Sequence, residues 1–316
     1  MSDLPVPSTL PPDASLAAGS SRRADLMSLT KARLSALVVV TTAAGYVLSP
    51  TGDFFSWGLV HTIFGTTLTA FGAAVFNQLM EMEPDAKMHR TAGRPLPAHR
   101  FPPAAAFVLG WLLAAIGLMH LGVRVNAEAS ALAALTLVIY LFIYTPMKQR
   151  STLNTLVGAV SGAIPPVIGW AGAAGPHGLQ PGLLRWDLFV QPQALFLFSL
   201  LFLWQLPHFL AINWMYREEY IRGGFVMWSN DDPTGAKTAR LALGWTLPML
   251  GLCVWPPLAG FAHVWYAVPS LAATLVLIRF CLVFRKTTLR TDARKLFFAT
   301  LIYLPVMLIA VLAAAR

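Results

Sequence analysis

Residues 77–94 read NQLMEMEPDAKMHRTAGR. Asn77, Glu81 and Asp85 are spaced four apart, and Lys87, Arg90 and Arg94 follow at once. On a helix, residues four apart share a face, so the first three present a column of amide and carboxylate oxygens. Such hard donors suit Mg²⁺, which takes one or two carboxylates and completes its shell with water and substrate phosphates. The cations that follow suit phosphate oxygens, Arg as a bidentate fork and Lys as a point charge. A solvated, salt-bridged connector would also account for the cluster taken alone. Pro84 disfavours helix at Glu83, and its ring clashes with the carbonyl four residues back. The spacing therefore predicts a helix that ends or bends near 81–84 and turns Asp85 back toward its partners.

A second polar stretch repeats the mixture. YREEY (216–220) carries Arg217, Glu218 and Glu219, and SNDDPTGAK (229–237) carries Asp231, Asp232 and Lys237. Two loops of acids and bases on one membrane face suggest two Mg²⁺ sites flanking one diphosphate, although Asp231–Asp232–Pro233 also reads as an ordinary turn. No Ser/His/Asp or Cys/His constellation accompanies them. Cys253 and Cys281 fall inside apolar stretches without a CxxC, so they read as small buried residues, and neither redox chemistry nor structural zinc is supported.

The elements that must position these residues are apolar. The chain of 316 residues is 56% hydrophobic and 12% charged, about half the charge of a soluble domain. Its mean hydropathy is +0.62. Nine apolar blocks of roughly bilayer-spanning length occur at about 34–49, 57–80, 102–122, 128–147, 152–173, 193–215, 239–261, 265–283 and 296–314. The first is short and begins as early as Leu29 if its flank is included. They are continuously apolar rather than alternating, which excludes a barrel. The expected fold is an all-α polytopic membrane bundle of nine transmembrane helices, residues 26–316, behind a Pro-, Ser- and Ala-rich tail, residues 1–25, expected to be disordered.

With nine spans, only Arg124, Arg185 and Arg316 of the 23 Lys and Arg residues fall on one side. The positive-inside rule then puts the N-terminus and both acidic loops inside. The net charge of +9 is thus mainly a topology signal, and no aromatic-interleaved basic domain points to nucleic acid. The tail carries Asp3 and Asp13 and lacks an early apolar run, a poor match to a transit or signal peptide. The expected location is a bacterial cytoplasmic (inner) membrane, with the mitochondrial inner membrane as the alternative. Transporters usually place polar groups at the midplane in broken helices, whereas these carboxylates cluster at one interface, which disfavours transport. Pro165–Pro166 should break the fifth span, as a packing kink or as the wall of a substrate cavity.

FNQLMEMEPDAKMHRTAGRPL resembles the first acidic motif of the UbiA superfamily of intramembrane prenyltransferases, and M-x-R-T-x-x-R-P-L (Met88 to Leu96) resembles its protohaem IX farnesyltransferase branch. SLTKARLSALVVVTTAAGY (28–46), YTPMKQRSTLNTLVGAVSGAIPPVIGW (144–170) and WQLPHFLAINWMYREEYIRGGF (204–225) are similar to the same branch, so the resemblance runs from about Ser28 to the C-terminus. The chain departs from the family pattern at Glu81, where Asp is usual, at Glu219, where an Asp-Tyr pair is usual, at Ala32, where proline is usual, and through VMWSNDDP (226–233).

The resemblance implies a UbiA-type bundle that transfers farnesyl from farnesyl diphosphate to a vinyl group of protohaem IX, with addition of water and Mg²⁺ as cofactor. It implies catalytic roles for Asn77, Glu81, Asp85, Arg90 and Arg94, and metal ligation by Asn77, Glu81, Asp85 and Glu219. Substrate binding would fall to Lys87, Lys148, Arg217, Glu218, Glu219 and His208, the last as a haem contact or axial ligand. It also points to haem A synthase or other oxidase-assembly proteins as partners. A related prenyltransferase acting on a quinone precursor or a chlorophyll-type ring is the alternative enzyme.

Overall fold

The computed structural model describes residues 21–175 and 185–316, and these form helices without a β-strand. Most of the expected tail, and the middle of the loop after the fifth span, lie outside the described residues. Residues 22–25 are helical rather than disordered. They open α1 (Arg22–Leu29), which Ser21 caps by accepting from the Ala24 N–H at 3.2 Å. At Lys31 the backbone turns left-handed (φ 48°), and α2 (Ala32–Leu48) leaves at a bend of 53°.

Eight further segments are long and apolar enough to cross a bilayer. The first is α3 (Trp57–Met80), which runs into two short helices, α4 (Met82–Ala86) and α5 (His89–Ala92). Next come α6 (Pro103–Arg124) and α7 (Ala127–Leu137), the latter continued by a π-helical stretch, Val138–Tyr144, and α8 (Thr145–Met147). The fifth expected span is α9 (Asn154–Ala163) plus α10 (Pro165–Ala173). Then α11 (Pro192–Met215) leads to the short helix α12 (Arg217–Arg222), followed by α13 (Ala236–Thr246) and α14 (Met249–Leu258) as one span. Finally α15 (Ala267–Thr287) and α16 (Arg290–Ala314) complete the bundle. Eight such spans, or nine with the bent α1–α2 pair, agree with the count expected from the apolar blocks.

The ends that moved have local causes. The seventh span stops at Leu258, because Pro256–Pro257 is followed by Gly260 at φ 80°. The last helix starts six residues before its apolar block, since Arg290, Asp292, Arg294 and Lys295 are good first-turn or interfacial residues that hydropathy alone leaves out.

The fifth span is the most enclosed, with 78% of its core window buried, against 28% for α6 and for α15. Proline breaks it at Ile164, as the sequence predicts, and α10 lies directly against α2. A Cβ on Gly45 would stand 1.8 Å from the Pro166 carbonyl, and one on Gly169 equally close to the Thr42 carbonyl. Small residues let the two backbones touch, the usual device for packing helices in lipid. This clamp holds α2, whose N-terminal end carries Lys31, against the wall that Pro165 and Ile168 present to an internal cavity.

Candidate active site

The acid column forms as its spacing predicts. Helix α3 bends at Glu81 (φ −100°, ψ 12°), yet the Glu81 N–H donates to the Asn77 carbonyl at 3.0 Å and the Asp85 N–H to the Glu81 carbonyl at 2.8 Å. The one-turn spacing therefore survives the bend. Pro84 sits in the first turn of α4, where its missing N–H leaves no intrahelical bond unmade. All three column residues are buried.

Each member of the column has a polar partner brought from elsewhere. Lys31 Nζ donates to Asn77 Oδ1, whose amide nitrogen contacts Thr145 Oγ1 at 3.3 Å. Lys148 Nζ donates to Glu81 Oε1 at 2.6 Å, and Arg94 Nη1 to Asp85 Oδ2 at 2.5 Å. Burial alone would raise the Glu81 carboxyl, but the charges of Lys148 and then Lys31 outweigh it and hold the group below the usual carboxylate range. The same pairing, against burial, holds the Lys148 ammonium above its usual value.

Glu81 and Asp85 line a chamber of about 280 Å³ together with Lys31, Arg90, Arg94, Lys148 and Asn213, while Asn77, held by Lys31 and Thr145, borders neither it nor the cavity beyond. The chamber adjoins a larger cavity of about 390 Å³ that runs between the helices past Ala73, Ala133, Ile168 and Trp204. Lys31, Arg90, Arg94, Tyr144, Lys148, His208 and Tyr220 border both, so a charged end opens into a mainly apolar one. Tyr144 and Tyr140 project from the π-helical stretch. Lys148 Nζ lies 4.5 Å from the Tyr144 ring centroid, and Arg90 packs over Tyr216 at 4.9 Å and Tyr220 at 5.8 Å. Such a π-helical stretch within a helix often marks a functional site.

The second acidic loop does not mirror the first. Lys87 and Glu218 are exposed and border neither chamber. Arg217 forks onto the Ser229 and Asn230 carbonyls at 2.7 Å each, holding its own loop. Glu219 Oε2 accepts from the Arg90 N–H at 3.4 Å, and Oε1 lies 3.9 Å from Arg222, so the carboxylate supports the Arg90 loop from behind. Asp232 Oδ2 accepts from the Thr238 N–H at 2.7 Å and its hydroxyl at 2.8 Å, thereby capping α13. Burial would raise Asp232, but the donors of Thr238 hold it below its ordinary value. Among the described residues no three His, Cys, Asp or Glu side chains gather as a metal cluster. The described geometry gathers one column of oxygen donors, while Glu219 meets the Arg90 loop and Asp232 caps α13.

That column fits Mg²⁺ in the substrate-dependent manner: two carboxylates and an amide oxygen, all hard donors, would leave half of an octahedral shell to phosphate and water. His208 sits farther along, 9% exposed, with Nδ1 2.8 Å from Thr300 Oγ1 and its ring stacked between Trp204 and Phe297.

Several residues of the site escape a reading of charge clusters. Lys31 reads as a topology marker until its helix bend carries it onto Asn77. Tyr144 and Lys148, four apart at the C-terminal end of a span, carry the one sequence signal that marks a shared face. Asn213 Nδ2 is buried without an acceptor among the described residues at the charged end, and Gln205 borders the apolar end. Both look like ordinary helix residues in sequence.

Residues 38–302 match the model of the UbiA prenyltransferase family. A protoheme IX farnesyltransferase of Solibacter usitatus is 41% identical over 256 residues, covering 78% of this chain and 83% of that one. A mitochondrial protoheme IX farnesyltransferase of Arabidopsis thaliana is 37% identical over 89% of this chain and 62% of its own length. Among solved structures, a digeranylgeranylglyceryl phosphate synthase superposes with a TM-score of 0.72 at 15% identity, covering 92% of this chain and 97% of that one. A UbiA homolog from Archaeoglobus fulgidus bound to DMAPP and Mg²⁺ gives 0.58 at 10% identity, covering 91% and 99%. These two share the fold. Family match, relatives and bundle together establish that the chain is an integral membrane protein of the UbiA prenyltransferase family, in the protohaem IX farnesyltransferase group.

Proposed function

We propose that the chain transfers the farnesyl group of farnesyl diphosphate to a vinyl carbon of protohaem IX, with water added, giving haem O and diphosphate. The observation that supports this most is the joined cavity, cationic at the acid column and apolar beyond it, with His208 and Trp204 on its wall. Diphosphate binds at the charged end, where Lys31, Lys148, Arg90 and Arg94 supply donors. Asn77, Glu81 and Asp85 are the residues that would hold Mg²⁺. Bound there, the ion neutralises charge developing on the leaving diphosphate.

The other contributions are the chain's own. Lys148 and Arg94 leave their carboxylates for phosphate oxygens as these enter, so the charge that pairs with Glu81 and Asp85 also stabilises the leaving group. Tyr140 and Tyr144 border the passage to the apolar end, and their rings stabilise the allylic cation. The apolar lining keeps water from that cation before the acceptor reaches it. The charge distribution supports an orientation with this end on the inside of a bacterial cytoplasmic membrane.

The test is acceptor choice. Isotope-labelled farnesyl diphosphate is offered together with protohaem and an aromatic quinone precursor, with Mg²⁺ present. Label recovered in the porphyrin fraction supports the proposal, and label recovered in the quinone precursor contradicts it.

A further inference from the structure

Gln205 and His208 lie three residues apart on α11, hence on one face, and both border the large cavity. The Gln205 amide nitrogen donates to the Leu201 carbonyl at 2.9 Å and the Ala159 carbonyl at 3.3 Å. Those two bonds fix the amide's orientation and leave Oε1 as an acceptor without a protein donor among the described residues. Its recess is made by a missing side chain, since a Cβ on Gly162 would stand 2.0 Å from Oε1.

His208 is fixed by the same kind of accounting. The Thr300 hydroxyl has a single proton, which it gives to the Phe297 carbonyl at 2.6 Å. Its 2.8 Å contact with His208 Nδ1 must then be accepted from an Nδ1–H. Nε2 is left with its lone pair and no donor among the described residues, while Trp204 and Phe297, with centroids at 5.0 and 4.9 Å, keep the ring from rotating away. These two acceptors, on one helix face of a mainly apolar cavity, have no donor among the described residues, and a water molecule carries two O–H bonds to donate.

We propose that Gln205 Oε1 and His208 Nε2 hold the water molecule that completes the product, with His208 as its base. This rests on protohaem being the acceptor. When the farnesyl carbon bonds to the terminal vinyl carbon through the vinyl π pair, the adjoining carbon is left positive. The water oxygen forms a C–O bond there with a lone pair. One O–H bond breaks, its electron pair staying on oxygen and its proton passing to His208 Nε2, while Gln205 Oε1 keeps the other O–H. The imidazolium then returns its proton to solvent. Nε2 has one lone pair, so a His208 that serves as the water's base is not at the same time an axial ligand.

The experiment uses the purified full chain with protohaem, farnesyl diphosphate and Mg²⁺, comparing wild type with Gln205→Leu, His208→Gln and Gly162→Ala. Extracted porphyrins are weighed, and the ratio of hydroxylated product to product lighter by one water is read. Without a held water, the cation loses a proton to give the lighter product. The ratio should shift by about tenfold or more in Gln205→Leu and His208→Gln. Gly162→Ala, which displaces the amide without removing it, should shift it in the same sense by less. The Soret band of bound haem should be unchanged in His208→Gln. A wild-type ratio in all three variants overturns the proposal, as does a lost iron ligand in the Soret band. A His208 variant that folds, binds both substrates and releases no diphosphate also overturns it, by placing the residue before the water step. If the wild type makes no farnesylated haem of either mass, it is the acceptor assignment that fails instead.

Discussion

Lys148 Nζ and Glu81 Oε1 lie 2.6 Å apart at the charged end of the cavity, their side chains 12% and 6% exposed. They come from different spans, and Lys31 and Arg94 approach the same column from two further places. Each oxygen donor of the column thus has its own facing Lys or Arg. Under the proposed function, diphosphate would draw these groups off and so free the carboxylates as it arrives.

Asp85→Asn keeps shape and burial but removes a carboxylate from the column. Loss of a metal contact in the transition state amounts to several kcal/mol, so turnover should fall by on the order of a hundredfold or more. The check is product formation against Mg²⁺ concentration. Unchanged turnover with unchanged Mg²⁺ dependence would remove Asp85 from the site.

Lys148→Met strands Glu81 in a buried position. Breaking a buried pair by removing one partner costs about 3–5 kcal/mol, and the double variant Glu81→Gln, Lys148→Met should recover part of it. Thermal unfolding in detergent measures both, and equal melting points for the single variant and wild type would contradict the pairing. Both variants should be inactive, because each has lost groups that face the diphosphate.

Arg90→Ala removes a guanidinium that is held over Tyr216 and Tyr220 at the mouth of the charged end. A charge-assisted hydrogen bond is worth about 1.5–3 kcal/mol, so affinity for a non-reactive farnesyl diphosphate analogue should weaken roughly tenfold or more. Affinity for haem should change little. Titration of each ligand separates the two, and equal losses would count against the assignment.

How much of this was readable in the chain follows from what enforces each feature. The spans were legible because a bilayer demands apolar runs of fixed length, and Asn77, Glu81 and Asp85 because helix periodicity survives a bend. The structural partners of Arg217 and Asp232 were hidden for a shared reason. They are backbone groups at Ser229, Asn230 and Thr238, and any residue type supplies those, so the composition of the loop cannot reveal them. Lys31 was obscure because its role depends on a left-handed turn between two helices.

Asp232 gives the converse test. Asp232→Asn should retain near wild-type turnover, since the side chain caps α13 and borders neither chamber. Asp232→Ala should cost about 0.5–2 kcal/mol of stability as a lost cap. The carboxyl titrates below its ordinary value, so its stabilisation is present above the unfolded value near 3.9 and is lost as pH falls through the lower folded value. Melting points across acid pH, wild type against Asp232→Ala, should converge at the acid end. A gap that widens there would contradict the cap.

The most direct test of the central claim is the product itself. Purified protein is incubated with protohaem and farnesyl diphosphate, with Mg²⁺ or with chelator, and extracted haems are weighed while released diphosphate is counted. The account predicts a haem heavier by one farnesyl group and one water, one diphosphate per haem, and neither with chelator. Folded protein that binds both substrates and yields no heavier haem, or yields it undiminished with chelator, would contradict it.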